Sequence, residues 1–223
     1  LDDAELCSSN MIIISPGLSL KIPAVANAIN AGVEVIGDVE LFARINTKPV
    51  VAVTGSNGKS TVVTLAYEVL KEAGYKVALG GNIGTAVLDL LNDDFDVYVL
   101  ELSSFQLDTT TNLKPVSATV LNVSEDHLDR YDSYQAYIDS KLSIYDGAEL
   151  IVVNADDIQT HPVARGTTPL ISFGAQQGDY HLAQHNAKTH FMLKGDAFLP
   201  VDTLAVVGKH NYLNTLAVMA LLS

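Results

Sequence analysis

The 223-residue chain is 48% hydrophobic and 17% charged, which is typical of a globular protein long enough to bury a substantial core. Its formal net charge of −13 repels the backbone of nucleic acids and argues against a nucleic-acid partner. Cys7 is the only cysteine, so the sequence excludes an intrachain disulfide and a zinc site built from several thiolates.

The sequence also indicates where the protein works. No run of apolar residues approaches the ~18 that a membrane-spanning helix needs, and the acidic start, LDDAE, lacks the layout of a signal peptide. These features predict a cytoplasmic protein without a membrane partner. The chain begins without Met and ends, at residues 218–223, inside a helical pattern without a stop signal, so we expect missing sequence on both sides.

Short runs rich in Val and Ile alternate with amphipathic helical patterns along the chain. Strands are predicted at residues 11–14, 33–36, 50–54, 76–79, 96–102, 118–123 and 150–154. Most of these runs are apolar on both faces, as in a parallel sheet that helices cover on both sides. The clearest helix, residues 59–73, keeps apolar residues at i, i+3 and i+4 spacing and is followed by Gly74. The alternation predicts an α/β fold with a doubly wound, mostly parallel sheet.

The pattern changes after Pro169. Short segments at residues 180–183 and 189–193 predict an antiparallel extension of the sheet, and a final helix is predicted to begin near Asn211. We place a domain boundary before the strand at residues 50–54. It divides the chain into residues 1–46 and residues 47–223.

A glycine-rich segment follows the strand at residues 50–54. Its sequence is Thr54-Gly55-Ser56-Asn57-Gly58-Lys59-Ser60-Thr61. Gly55 and Gly58 allow backbone N–H groups to point into one concavity, and the helix that begins at Lys59 adds positive charge at its N-terminus. The Ser60 hydroxyl is suited to Mg²⁺, which the acidic chain needs in order to attract ATP. These features predict a loop that binds phosphates.

The loop departs from the usual phosphate-loop pattern at one position. Val53 stands where G-x-x-x-x-G-K-[ST] has its first glycine, so the segment is a shorter variant. An ordinary strand-to-helix turn with a solvated lysine is the alternative interpretation.

The compact T-G-x-N-G-K-[ST]-T pattern resembles the ATP loop of Mur ligases and of their folylpolyglutamate synthetase relatives. Further matches follow in the same order at residues 37–42 (GDVELF), 80–84 (GGNIG), 100–107 (LELSSFQL), 122–131 (NVSEDHLDRY) and 210–214 (HNYLN). The run LELSSFQL is similar to that of the members that add D-glutamate. The resemblance implies that residues 47–223 are the central ATP-binding domain and that residues 1–46 are part of a Rossmann-like domain for the UDP-linked substrate.

The resemblance also implies a reaction. In such ligases the γ-phosphoryl group of ATP moves to the carboxylate of UDP-N-acetylmuramoyl-L-alanine, and the amine of D-glutamate attacks the acyl phosphate. Phosphorylation supplies the leaving group that a carboxylate lacks, and metal ions neutralise the charges that meet. The family further implies two Mg²⁺ ions, a monomeric protein and a role in peptidoglycan synthesis.

A third domain carries the D-glutamate site in that family, and we expect this chain to lack it. Domain closure orders such a site and excludes water from it. The chain alone is therefore predicted to be inactive.

Three residues are candidates for the metal sites besides Ser60. Glu101 ends a predicted buried strand at the edge of the sheet where ligands bind, a position that suits a Mg²⁺ ligand and a helix cap equally, and the resemblance implies the Mg²⁺ ligand. For His127, the resemblance implies a role at a second Mg²⁺, whereas its local sequence by itself favours a histidine in a polar loop. The other histidines, at positions 161, 181, 185, 190 and 210, show no metal-ligand spacing.

Lys141 falls on the apolar stripe of a helix predicted at residues 133–145. It follows Tyr134 by seven residues and Tyr137 by four, so it is expected to point inward. A lysine in such a position usually extends its amine to water. The resemblance implies instead that Lys141 is carbamylated by CO₂ and that the resulting anion supports the second Mg²⁺. Burial favours the neutral amine that this reaction requires.

The resemblance assigns the remaining site residues. ATP would contact Gly55, Ser56, Asn57, Gly58, Lys59, Ser60 and Thr61, with Asn211 and Asn214 on the adenine side. Asn82 and Ser103 would contact the substrate, and Ser15, Pro16 and Gly17 would contact the UDP diphosphate. The local alternatives are a turn asparagine for Asn82 and helix caps for Ser103 and Asn211.

Three other functions stay open from the sequence. A sibling ligase would add another amino acid, and a folylpolyglutamate synthetase would use the same chemistry on folate. A nucleotide-binding module with a phosphate loop would have no ligase activity, and it would leave an inward Lys141 without explanation.

Overall fold

The computed structural model describes residues 2–92, 94–125, 130–164, 166–204 and 208–223. The first part contains α1 (Asp3–Cys7), β1 (Met11–Ile14), α2 (Pro23–Asn30), β2 (Glu34–Gly37) and α3 (Asp38–Ile45). The second part begins with β3 (Val50–Thr54), α4 (Lys59–Glu72), β4 (Val77–Gly81), β5 (Val97–Glu101), α5 (Ser104–Leu107), β6 (Ser117–Val120) and α6 (Tyr134–Leu142). It continues with β7 (Ile151–Asn154), β8 (Leu170–Phe173), β9 (Tyr180–His185), β10 (Lys188–Leu193), β11 (Asp196–Pro200) and α7 (Lys209–Leu221).

The strands form two sheets. β1 and β2 make a parallel pair, and the other strands make a nine-stranded sheet in the order β11-β10-β9-β8-β7-β6-β3-β5-β4. Neighbouring strands from β4 to β9 in that order are parallel, whereas β10 is antiparallel to both β9 and β11. The chain leaves β3 toward one edge of the sheet and later returns to its other side. Ligands bind open α/β sheets beside the carboxyl end of such a strand.

Helices cover both faces of the central sheet. Every residue of β3 is buried, because its side chains alternate between two cores. On one face Val51 and Val53 belong to the core that α4 and α7 complete, and on the other Val50 and Ala52 belong to the core that includes Tyr137 of α6. The predicted α/β class with a mostly parallel sheet is confirmed.

Several predicted boundaries differ from the observed ones. β6 ends at Val120 rather than at residue 123, because the next residues turn to bond the glycine-rich loop. α6 ends at Leu142, and a short 3₁₀ helix, Ser143–Tyr145, completes the predicted helix. The antiparallel extension is present and gains β11, while α7 begins at Lys209, slightly before Asn211. In the described ranges, no helix is both long and apolar enough to cross a membrane.

The two-stranded sheet lies before residue 47 and the nine-stranded sheet after it, and the domain boundary stays a prediction. The buried carboxylate of Glu40 on α3 links the two parts. It accepts the backbone N–H groups of Thr111 at 2.7 Å and Asn112 at 2.9 Å, the side-chain amide of Asn112 at 2.5 Å, and Nε of Arg44 at 2.8 Å. Burial alone would raise the pKa of Glu40, but these hydrogen bonds outweigh burial and lower the pKa to about 2.

We expect Glu40→Gln to destabilise the fold in a pH-dependent way. A pKa lowered from 4.5 to about 2 contributes about 3 kcal/mol of stability above pH 4.5, and this contribution falls to about 1 kcal/mol at pH 3. Urea unfolding of wild type and variant at pH 7 and pH 3 measures the difference at each pH. Glu34→Gln removes an exposed partner of Arg44 and should change stability little at either pH. An equal loss for Glu40→Gln at both pH values would contradict this account.

Candidate phosphate- and metal-binding site

The glycine-rich loop follows β3 at the carboxyl edge of the sheet. Gly58 has φ of +85°, a conformation that favours glycine, and it precedes the first residue of α4. A Cβ on Gly58 would lie 2.8 Å from Oδ1 of Asn214, and one on Gly55 would lie 3.1 Å from Cβ of Leu121. Both glycines hold φ values that side-chain-bearing residues rarely adopt, and Gly55 is in addition closely confined by Leu121.

The segment after β6 holds the loop from outside. The Asn57 N–H donates to Oδ1 of Asn122 at 2.9 Å, and Nδ2 of Asn122 donates back to the Asn57 carbonyl at 2.9 Å. The Ser56 N–H donates to the backbone carbonyl of Asn122 at 3.0 Å. Asn122 thus bonds the three successive peptide groups between Gly55 and Gly58. The sequence showed Asn122 only as a member of a matched run, without a role, because its partner lies 65 residues away.

Two lysine side chains meet at one carbonyl of the loop. Nζ of Lys59 donates to the carbonyls of Gly55 at 3.0 Å and Ser56 at 3.3 Å. Nζ of Lys141 donates to the same Gly55 carbonyl at 3.2 Å. If an anion bound here, the two lysines could donate to its negatively charged oxygens instead of to those carbonyls. The anion would also lie at the N-terminus of α4, where the helix dipole is positive. The arrangement favours the binding of a phosphate.

A buried carboxylate lies beside the first turn of α4. Glu101 is 1% exposed, and its two oxygens accept the Ser60 hydroxyl and the Asn82 side-chain amide, each at 2.8 Å. Within the described ranges Glu101 has no salt bridge. A buried carboxylate whose partners are neutral is costly, and a hard divalent cation with oxygen ligands would offset that cost. Glu101 and Ser60 therefore fit Mg²⁺.

Lys141 points inward, as its place on the apolar stripe predicted. It is 3% exposed, and its Nζ lies 4.6 Å from the ring centroid of Tyr137. The alternative in which its amine reaches water is wrong for this position. Carbamylation of Lys141 stays a prediction.

Tyr137 belongs to the site although the sequence placed it only among apolar positions. It is 1% exposed, and its hydroxyl lies 3.2 Å from Oγ of Ser56, which also accepts the Ser124 N–H at 3.0 Å. A tyrosine on an apolar stripe gives no signal of such a contact, because the partner is on another element. The cavity that these groups enclose has a volume of about 270 Å³. Its lining comprises Gly55, Ser56, Lys59, Asn82, Ser103, Ser104, Phe105, Tyr137 and Lys141.

A second, smaller cavity of about 140 Å³ adjoins the loop on the side of α7. Asn57, Gly58 and Asn214 contribute to its lining, and the contact of Asn214 with the adenine side of ATP stays a prediction. Asn211 lies in the first turn of α7 after the cap residue Gly208, so the alternative role of Asn211 as an N-cap is wrong.

The remaining residues predicted for the site do not all lie at the two cavities. Ser103 caps α5 by accepting the Gln106 N–H, so its alternative role as a helix cap is confirmed, while it also lines the larger cavity. Thr61 is exposed on α4, and Ser15 and Gly17 are exposed after β1 with Pro16 half-buried between them. The Gly17 carbonyl accepts Nη1 of Arg130 at 3.3 Å.

His127 lies outside the described residues, so its predicted role at a second metal is untested. Among the residues that are described, no three His, Cys, Asp or Glu side chains converge on a metal position. The candidate metal site that the described residues form is therefore the one at Ser60 and Glu101.

Two family models and two curated relatives that match this chain belong to the Mur ligases. Residues 53–222 match the family model described as the Mur ligase middle domain, and residues 1–37 match the MurD-like N-terminal domain. The chain is 75% identical over its whole length to the UDP-N-acetylmuramoylalanine--D-glutamate ligase of Pseudoalteromonas translucida (strain TAC 125), covering 50% of that protein. It is 49% identical over 99% of its length to the Escherichia coli (strain K12) protein of the same name, covering 51%. The chain thus spans about half the length of these curated relatives.

Solved structures share the fold. The UDP-N-acetylmuramate:L-alanyl-gamma-D-glutamyl-meso-diaminopimelate ligase from Neisseria meningitides matches with a TM-score of 0.68 at 22% identity, over 99% of this chain and 76% of that one. The UDP-N-acetylmuramate-alanine ligase MurC from Thermotoga maritima matches with a TM-score of 0.63 at 25% identity, over 96% of this chain and 51% of that one.

We expect Asn122→Asp to weaken the binding of MgADP by about 10- to 100-fold. The aspartate would still accept the Asn57 N–H, but it would place a carboxylate against the Asn57 carbonyl and near the incoming phosphates. Isothermal titration calorimetry of this chain with MgADP measures the change. Asn10→Asp, an equal charge change at an exposed position, should bind like wild type. Equal affinities for both variants would rule out the role of Asn122 in holding the loop.

Proposed function

The chain belongs to the Mur ligase family, and from that membership we propose that it forms the ATP-binding part of a ligase that joins D-glutamate to UDP-N-acetylmuramoyl-L-alanine. The observation that carries the proposal is the loop of residues 55–60 at the carboxyl edge of the sheet. The Lys59 amine is hydrogen-bonded to the loop carbonyl of Gly55, and the Ser60 hydroxyl is hydrogen-bonded to the buried Glu101. The 75% identity to a relative named for this reaction supports the choice of substrates. The matching relatives are about twice as long as this chain. The proposed activity is therefore that of a longer protein in which this chain is the ATP-binding part.

The residues of the loop would hold the phosphates of ATP. The backbone N–H groups from Gly58 to Ser60, at the N-terminus of α4, would form the phosphate site, because the N–H groups of Ser56 and Asn57 already donate to Asn122 and thereby fix the turn. Lys59 would leave the Gly55 and Ser56 carbonyls to bind the terminal phosphates. Ser60 and Glu101 would hold Mg²⁺, which neutralises charge on the phosphates when it is bound. Asn82, hydrogen-bonded to Glu101, would place its amide beside the acceptor carboxylate.

The proposed reaction has two steps. A carboxylate oxygen of UDP-N-acetylmuramoyl-L-alanine attacks the γ-phosphorus of ATP, the bond to the bridging oxygen breaks, and ADP leaves. The amine of D-glutamate then attacks the acyl phosphate, loses a proton, and expels inorganic phosphate as the amide forms. Lys59 and the loop amides would stabilise the charge that develops in the first step.

A second Mg²⁺ would lie near Lys141 and His127. We propose that the Lys141 amine bonds to CO₂ with loss of a proton, so that the side chain becomes an anionic carbamate. The burial of Lys141 and its position against the loop support this role, since a buried carbamate beside Lys59 would have a cation as neighbour. The protein would work in the cytoplasm as a monomer, and this chain alone would bind nucleotide without turnover.

A hybrid protein tests the function. This chain would replace the half of the Pseudoalteromonas translucida relative that it matches, and phosphate release would be measured with MgATP, UDP-N-acetylmuramoyl-L-alanine and D-glutamate. We expect release that requires both acceptor substrates and that falls at least about 100-fold with Lys59→Ala. Lys71→Ala, a lysine on the same helix outside the site, is the matched control. A hybrid that binds MgADP but releases no phosphate would leave a nucleotide-binding module.

Labelled bicarbonate tests the modification of Lys141 in the same hybrid. We expect ¹³C-bicarbonate to give one carbamate carbon signal in the NMR spectrum, and Lys141→Arg to abolish it together with most of the activity. Lys114→Arg should keep both. If Lys141→Arg retained full activity, or if the wild type gave no carbamate signal while active, Lys141 would act as a free amine.

A further inference from the structure

A histidine pair on the β9–β10 hairpin lies outside the site described above. The two strands are joined by Asn186 and Ala187, both with positive φ, a tight two-residue turn that fixes the register. That register places His185 opposite Lys188 and His190 opposite Ala183, so the two histidines are diagonal neighbours on one face. The opposite face, with Tyr180 and Phe191, packs into the core and anchors the hairpin.

The rings of His185 and His190 are in contact. Their centroids are 5.2 Å apart and their planes meet at 82°. A tetrahedral ion with metal–nitrogen bonds of about 2.0–2.1 Å holds two bound imidazole centroids about 5 Å apart. The two rings therefore lie at about the separation that a shared ion requires.

The hydrogen bond of His190 leaves one nitrogen available. Its Nδ1 lies 3.1 Å from the Lys188 carbonyl, and a carbonyl only accepts, so Nδ1 carries the proton and Nε2 of the neutral ring carries the lone pair. A metal-binding histidine is commonly oriented in this way by a carbonyl. The His185 ring is exposed and has no hydrogen bond within the described part of the chain, so it can turn a nitrogen toward the same ion.

The charges around the pair are compatible with a cation. Lys188 is the cationic side chain opposite His185, and Asp202 neutralises it through a salt bridge of 2.8 Å. The chain as a whole carries a net charge of −13, which favours the approach of a cation. Imidazole suits Zn²⁺, Ni²⁺ and Cu²⁺, whereas Mg²⁺ prefers oxygen ligands.

We propose that His185 and His190 form a surface site for a divalent transition metal such as Zn²⁺, completed by water and separate from the Mg²⁺ site at the phosphate loop. The spacing of the histidines in the sequence gave no sign of it, because five residues separate them and only the hairpin register brings them together. The site does not depend on the proposed ligase function.

Zinc binding to the full chain tests the proposal, with calorimetry done in excess MgCl₂ to occupy the loop site. His185→Gln and His190→Gln should each weaken one zinc-binding event by at least about tenfold, the scale on which metal sites respond to lost support. His181→Gln is the matched control: it lies on the same face with Nδ1 at 2.9 Å from the Gly178 carbonyl, and it should leave the affinity unchanged.

Imidazole ¹⁵N NMR adds a readout at the ligands themselves. Zinc should shift Nε2 of His190 and one ring nitrogen of His185 in wild type, while the backbone spectrum of the hairpin stays that of the folded protein in every variant. Unchanged zinc affinity in either His185→Gln or His190→Gln would overturn the proposal. An equal loss in His181→Gln would also overturn it, because the metal would then not be held by this pair.

Discussion

The phosphate loop depends on the chain segment beside it. A glycine-rich turn has no internal bonds that would keep its amides pointed in one direction, and its glycines lose much conformational entropy on ordering. Here β6 stops early, and its continuation bonds the loop: the Leu121 N–H donates to the Thr54 carbonyl at 2.9 Å, and Asn122 holds the peptides at Ser56 and Asn57. Long-range contacts therefore hold the loop in addition to its glycines and the Lys59 hydrogen bonds within it.

Three buried charged residues differ in how fully the protein compensates them. Glu40 accepts hydrogen bonds from backbone amides and from an arginine, which is why its pKa falls to about 2 although burial would raise it. From the residues that the structure describes, Glu101 accepts the hydrogen bonds of a hydroxyl and an amide, and Lys141 has one loop carbonyl and a tyrosine ring among its contacts. Within the described part of the chain, compensation is complete for Glu40, which joins two parts of the structure, and partial for Glu101 at the edge of the sheet. A ligand of opposite charge would supply the missing part there.

The sequence predicted the features that follow from local patterns. The buried strand β3, the start of α4 at Lys59 and the inward direction of Lys141 all follow from periodicity, which acts within one element. Periodicity could not predict three other features: the hydrogen bonds of Asn122 to the loop, the contact of Tyr137 with Ser56, and the early end of β6. Each depends on residues about 65 to 80 positions apart, whose proximity is set by strand order.

Contacts between residues distant in sequence also connect the amino-terminal part to the site. Arg130 places its guanidinium 4.3 Å from the ring centroid of Phe105, which lines the larger cavity, and its Nη1 donates to the Gly17 carbonyl in the loop after β1. Glu40 makes another connection, through Thr111 and Asn112, and Phe42 packs its ring 5.0 Å from that of Tyr98. Contacts at separate points restrain rotation as well as separation, which a single contact cannot do. A substrate bound at the loop after β1 would consequently have a defined direction relative to the cavity, and a ligase that positions a carboxylate against a phosphate needs that direction.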